Sequence, residues 1–157
     1  MVRLELLTTI AAPIERVFDL SRSIDLHMPS TDWTGERAIA GVTSGLIGPD
    51  QEVTWQGRHF GISITHTSRI TKYEFPNYFQ DCVVHGSFRR FCHDHYFEGY
   101  GVSTRMKDVM EFEAPCDHWE FLSNAWRSNA TGKISCRDAT IWIRKTAESE
   151  DWRKFVL

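Results

Sequence analysis

Residues 91–112 read FCHDHYFEGYGVSTRMKDVMEF. Before the glycines, Phe91, His93, His95 and Phe97 occupy every second position. After them, Thr104, Met106, Asp108, Met110 and Phe112 do the same. A period of two marks strands with one covered face. Gly99-Tyr100-Gly101 lies between the runs, and glycine permits the positive φ of a tight hairpin. A turn there pairs Phe97 with Thr104, His95 with Met106, His93 with Asp108 and Phe91 with Met110. That register keeps both sets on one face, whereas a slip of one residue would invert a strand.

The same period extends upstream. Val53 and Trp55 alternate with polar neighbours. Phe60, Ile62, Ile64, His66, Ser68 and Ile70 share a face, as do Phe79, Asp81, Val83 and His85. Short breaks at 57–61, 75–77 and 86–87 separate these runs, so they read as an antiparallel meander. Residues 2–10 read as an earlier strand, which Ala11-Ala12-Pro13 ends. Proline suits the first turn of a helix. Ile14, Val17, Phe18 and Leu20 then form an apolar helical face. A second short helix spans 21–27, with Ile24 and Leu26 inward and Met28-Pro29-Ser30 closing it. Ser21, Ser23 and Asp25 read as caps, and His27 as a contact near the C-terminal helix or a cavity mouth. The fold class is therefore α+β: one strand, two short helices, a meander and a C-terminal lid.

The chain has 157 residues, 41% apolar and 25% charged, with no repeat or linker, so it is read as a single domain over 1–157. Eighteen basic residues stand against 21 acidic ones, a net charge of −3, with no basic block. A nucleic-acid partner is not expected, nor is membrane insertion or an export signal. Cys82, Cys92, Cys116 and Cys136 show no C-x-x-C spacing. They are read as reduced thiols, which implies a cytoplasmic location. Gly41, Gly45 and Gly48 do not spell a nucleotide loop, and no serine sits in G-x-S-x-G.

The stretches AAPIERVFDLSRSIDLH, ERAIAGVTSGLIG, EVTWQGRHFGI, THTSRIT, HDHYFE and TRMKDVMEFEAP resemble the SRPBCC superfamily. These are START-related, birch-pollen-allergen-like helix-grip proteins, often labelled polyketide cyclase/dehydrase or lipid transport. The likeness is to small bacterial members of unassigned function and covers about residues 1–115. It implies a seven-stranded curved antiparallel sheet gripping a long C-terminal helix over an apolar cavity.

The tail departs from that pattern over 116–142. Two compensating frame changes in the coding DNA would restore a continuous amphipathic helix there, an expectation that the genomic sequence decides. As written, Asp117 with Glu120 forms a capping box, and Trp119, Leu122 and Trp126 share a helical face. Asn129 to Gly132 reads as a stop, 133–143 is ambiguous between strand and helix, and 144–155 is helical and charged. The lid is accordingly expected to be shortened or broken.

A cavity in this fold would be walled by Trp55, Phe60, Ile62, Ile64, Phe79, Phe91, Phe97, Met106, Met110 and Phe112. His66, Asp81 and His85 would join His93, His95 and Asp108 as polar groups on the same face. Three readings of those groups stay open. They are a buried hydrogen-bond network, a set that orients a ligand, or an acid–base pair of His93 and Asp108 tuned near neutrality, with His95 beside it. H-x-H on a strand can aim two imidazoles one way, with His66 or His85 as a third. The resemblance implies no metal, however, and the histidines have carboxylate partners, so neither metal nor cofactor is expected. The favoured function is binding of a small hydrophobic molecule, lipid-like or polyketide-like. A cyclase- or dehydratase-like enzyme using His93, His95 and Asp108 is one alternative. A protein-interaction or regulatory module is another, and homodimerisation stays open.

Overall fold

The hairpin forms β6 (Arg90–Tyr100) and β7 (Ser103–Glu113). Its pairing differs from expectation by two residues. Phe97 faces Met106, His95 faces Asp108, His93 faces Met110 and Phe91 faces Phe112. The loop is the two-residue Gly101-Val102, closed by Tyr100 against Ser103, and Gly101 has φ of 58°. A shift of two preserves which face each side chain takes, so the inward set survives and only its partners change.

The computed structural model describes residues 1–30, 35–59, 62–86, 89–113 and 131–156, by backbone alone at 58–59, 62 and 131–137. The remaining strands are β1 (Val2–Ile10), β2 (Arg37–Gly41), β3 (Glu52–His59), β4 (Ile62–Glu74) and β5 (Tyr78–His85). They form one seven-stranded antiparallel sheet in the order β1-β7-β6-β5-β4-β3-β2. The pattern does not announce β2, because its five residues are mostly exposed and its register shifts between Ala38 and Ala40. Gly41 ends it at φ 73°, where a Cβ would stand 2.2 Å from the Glu52 carbonyl oxygen. Only glycine fits there.

Two short helices follow β1, α1 (Ile14–Ser21) and α2 (Ile24–Ser30). Pro29 lies inside α2 rather than ending it at Met28; the Ser30 hydroxyl donates to the His27 carbonyl and closes the last turn. Of the expected caps, the Ser23 hydroxyl accepts from Leu26 N, while Asp25 accepts from Gly45 N in a neighbouring loop. The ambiguous stretch 133–143 is helical, within α3 (Thr131–Ala147). That helix begins inside the stretch read as a stop. A 3-10 turn (Glu150–Trp152) and α4 (Arg153–Val156) complete the chain. The readings on Phe60, Asp117, Trp119, Glu120, Leu122 and Trp126 lie outside the described residues.

Thr140, Ile143 and Ala147 form the buried stripe of α3, at helical spacing. Its C-terminal end is tied to α1 and its approach. Arg16 donates to the Ala147 carbonyl at 3.0 Å and lies over the Trp152 ring, and Ala11 N donates to Glu148. The larger apolar cluster gathers around Phe18 of α1, which makes edge contacts with Tyr73, Phe75 and Phe79 and a tilted one with Phe97. A separate cluster of Met110 and Phe112 packs with half-buried Val2, Leu4, Leu6 and Phe91. Among the described residues, no helix is long and apolar enough to cross a membrane.

Cys82 and Cys92 stand opposite each other on β5 and β6 and are joined by a disulfide. This corrects the reduced-thiol reading and removes its argument for a cytoplasmic location. A separation of ten residues means nothing until strand register is known.

Two outcomes follow. Phe18→Ala should lower unfolding free energy by about 3–5 kcal/mol in urea melts. Leu7→Ala, on the wetted face, should change it by no more than ~0.5 kcal/mol. Thiol titration of the denatured chain without reductant should find no more than two of the four cysteines.

Candidate functional site

Three adjacent strands bring four polar side chains to one place on the inner face. On β5, Asp81 faces His93 and Phe79 faces His95; on β7, Asp108 faces His95. His95 is central. Its Nε2 lies 3.3 Å from Asp81 Oδ1, and its Nδ1 lies 2.8 Å from Asp108 Oδ1. His93 approaches diagonally, with Nε2 3.3 Å from the same Asp108 oxygen. The two imidazole centroids are 3.8 Å apart, and Phe79 stacks on His95 at 4.2 Å. From above, the Thr140 hydroxyl of α3 donates to Asp108 Oδ2 at 3.3 Å.

Asp108 is only 2% exposed. Its Oδ1 lies near both rings without the alignment of a hydrogen bond to either. Among the described residues, His93 Nε2, His95 Nδ1 and Asp108 Oδ1 are thus buried atoms without a hydrogen-bond partner. Charge attraction holds the group together. Burial alone would push the His95 imidazolium down, but Asp108 and Asp81 on either side outweigh it and raise its pKa to about 9. Burial likewise opposes ionisation of Asp108, and His93 and His95 overcome it, holding the carboxyl well below the usual range. Asp81 is lowered in the same way, burial being outweighed by His95 and then His93. His95 is thereby carried above the near-neutral range of an ordinary imidazole. It is a cation at neutral pH and a donor rather than a base.

The other expected site residues are distributed more widely. Phe79, Phe97, Met106 and Trp55 belong to the larger apolar cluster, and Met110, Phe112 and Phe91 to the smaller. The belt of histidines and carboxylates lies on the same strands as both. His66 faces Trp55 across β3 and β4, two inward positions from the Ile70 that faces Asp81, and Ile64 faces Gly57. His85 is exposed, a correction to its inward placement. β5 and β4 lose register between Ser68 and Thr67, and the strand end leaves the covered face. Ile62 lies on β4 by its backbone. Sequence reasoning missed Thr140, whose signal was its spacing with Ile143 and Ala147.

No protein-family model matches this chain, and no curated protein sequence matches it. Solved structures do. The Thermus thermophilus protein TTHA0849 aligns with a TM-score of 0.72 at 14% identity, over 93% of this chain and 97% of that one. A major latex-like protein of Panax ginseng gives 0.65 at 14%, over 94% and 98%. The Zhui aromatase/cyclase of Streptomyces gives 0.66 at 13%, over 92% and 94%. The structural neighbours are SRPBCC, birch-pollen-allergen-like proteins, and this chain has their helix-grip fold.

The belt should give stability a bell-shaped pH dependence in chelator-treated protein. His95 is raised, so its contribution is complete below its unfolded value of about 6.5 and fades as pH rises through about 9. Asp81 and Asp108 are lowered, so theirs is complete above roughly pH 4 and fades as pH falls below it. Urea midpoints across pH, with an NMR titration of His95 expected near 9, check both limbs.

Proposed function

We propose that this chain binds a small, mainly apolar molecule, lipid-like or aromatic-polyketide-like, between the inner face of the sheet and α3. The observation that carries the reading is the charged belt in an otherwise apolar interior. Burying ionised groups destabilises a fold unless they are paired, and a well-packed apolar replacement is often at least as stable. Keeping Asp108, His95, His93 and Asp81 here is explained if they meet something polar on a ligand. His95, charged at neutral pH, would donate to a carbonyl, carboxylate or phenolate oxygen, while apolar burial supplies most of the affinity.

The half-buried Val2, Leu4, Leu6 and Phe91 supply apolar surface on the same face. Two of the solved neighbours, an aromatase/cyclase and a major latex-like protein, share the helix-grip fold on which this reading is built. A cyclase-type reaction with His95 as base is less well supported, because that ring holds its proton to about pH 9.

Native mass spectrometry of the purified chain should find one small organic molecule per chain, released on denaturation. An apolar fluorescent probe such as anilinonaphthalene sulfonate should bind the emptied protein. Met110→Trp, which fills volume beside Phe112, should weaken the probe at least about tenfold, or ~1.4 kcal/mol. A folded protein that retains no molecule and binds no probe would overturn the reading.

A further inference from the structure

We propose that Asp81, His93 and His95 form a site for one divalent transition-metal ion, of which zinc is the natural probe, with Asp108 as the carboxylate behind it. The three residues each offer a donor atom, and these atoms lie within 4.8 Å of one another. Zinc binds imidazole nitrogen and carboxylate oxygen at about 2.0–2.2 Å, so two ligands on one tetrahedral ion stand roughly 3.4 Å apart. His95 Nε2 and Asp81 Oδ1 are already 3.3 Å apart. Bringing in His93 takes a movement of roughly an ångström, within reach of side-chain rotation.

The surroundings fit as well. Histidine ligands ordinarily offer their second nitrogen to a carboxylate, which fixes ring orientation. His95 is placed for this: Nε2 faces Asp81, and Nδ1, on the other side of the ring, lies 2.8 Å from Asp108 Oδ1, close enough for a small turn of the ring to align the two. The carboxylate partners that seemed to exclude a metal therefore stand where a metal site needs them. Two carboxylates, Asp108 buried and Asp81 half-buried, make the spot attractive to a cation. His93 Nε2, His95 Nδ1 and Asp108 Oδ1 lack hydrogen-bond partners among the described residues, which an ion at this point would help to organise.

Among the described residues, the partly exposed members of the group give access to it. The Asp81 and His93 side chains are 24% and 17% exposed, and Asp108 lies beneath at 2%. Two imidazoles and one carboxylate, with no thiolate, suit zinc and its first-row neighbours. Three protein ligands leave a coordination position open toward the accessible side. The inference does not depend on an apolar ligand.

The test uses full-length protein stripped with chelator and titrated with Zn²⁺ by calorimetry. One ion per chain is expected, with a rise in melting temperature and visible absorption when Co²⁺ replaces zinc. Asp81→Asn and His93→Gln should each abolish saturable binding. Asp108→Asn should weaken it about 10–100-fold, and His85→Gln, on the exposed strand end, should leave it unchanged. Absence of one-to-one binding, or binding that survives Asp81→Asn and His93→Gln, would overturn the proposal. So would binding lost with His85→Gln. If a variant does not fold, the wild-type stoichiometry and Co²⁺ spectrum decide. Probe binding by the stripped protein tests the apolar-ligand reading separately, so the two cannot fail together unnoticed.

Discussion

An ionised carboxylate enclosed in an apolar interior must be answered by positive charge, and Asp108 imposes that demand here. It is 2% exposed, and His95 and His93 lie 2.8 and 3.3 Å from one of its oxygens. Removing one partner of such a group ordinarily costs more than the pair contributes, because the other is left buried and uncompensated. The contact couples β6 to β7 at a stated register, and Asp81 extends it to β5. Thr140 carries it across to α3. Sheet and lid therefore meet at a polar point as well as through apolar burial.

Apolar packing on either side of this belt is unequal. Phe18, delivered by α1, anchors one cluster through four aromatic contacts. α3 is fixed at that end, through Arg16, Glu148 and Ala147. The other cluster, around Met110 and Phe112, is smaller and leaves its β1 neighbours half-buried. Among the described residues, a well-packed end thus adjoins a stretch of half-buried apolar side chains, and the belt lies between them.

The same electrostatics serve both functional readings. Two carboxylates flanking two imidazoles attract positive charge, and a proton on His95 or a divalent ion between His95 and Asp81 answers it. In the first case the belt presents a hydrogen-bond donor to an apolar guest. In the second it presents a metal with an open position. The helix-grip fold accommodates either, and its solved neighbours at 13–14% identity speak for architecture alone.

Alternation of polar and apolar residues was enough to identify the strands of the meander, their inward faces and the histidines and acids among them. It works because side chains on a strand take opposite sides in turn, whatever lies around them. Pro13 and the spacing of Val17, Phe18 and Leu20 did the same for α1. Partnership is another matter. Whether His93 or His95 faces Asp108 depends on whether the two-residue turn is Tyr100-Gly101 or Gly101-Val102. Cys82 meets Cys92 only because β5 and β6 align as they do, and His85 leaves the interior through an irregular pairing with β4. Thr140 joins the site because α3 is laid across β7 from far along the chain. Local chemistry sets which face a residue takes, but distances between strands and helix arise from closure of the whole sheet, which no single stretch encodes.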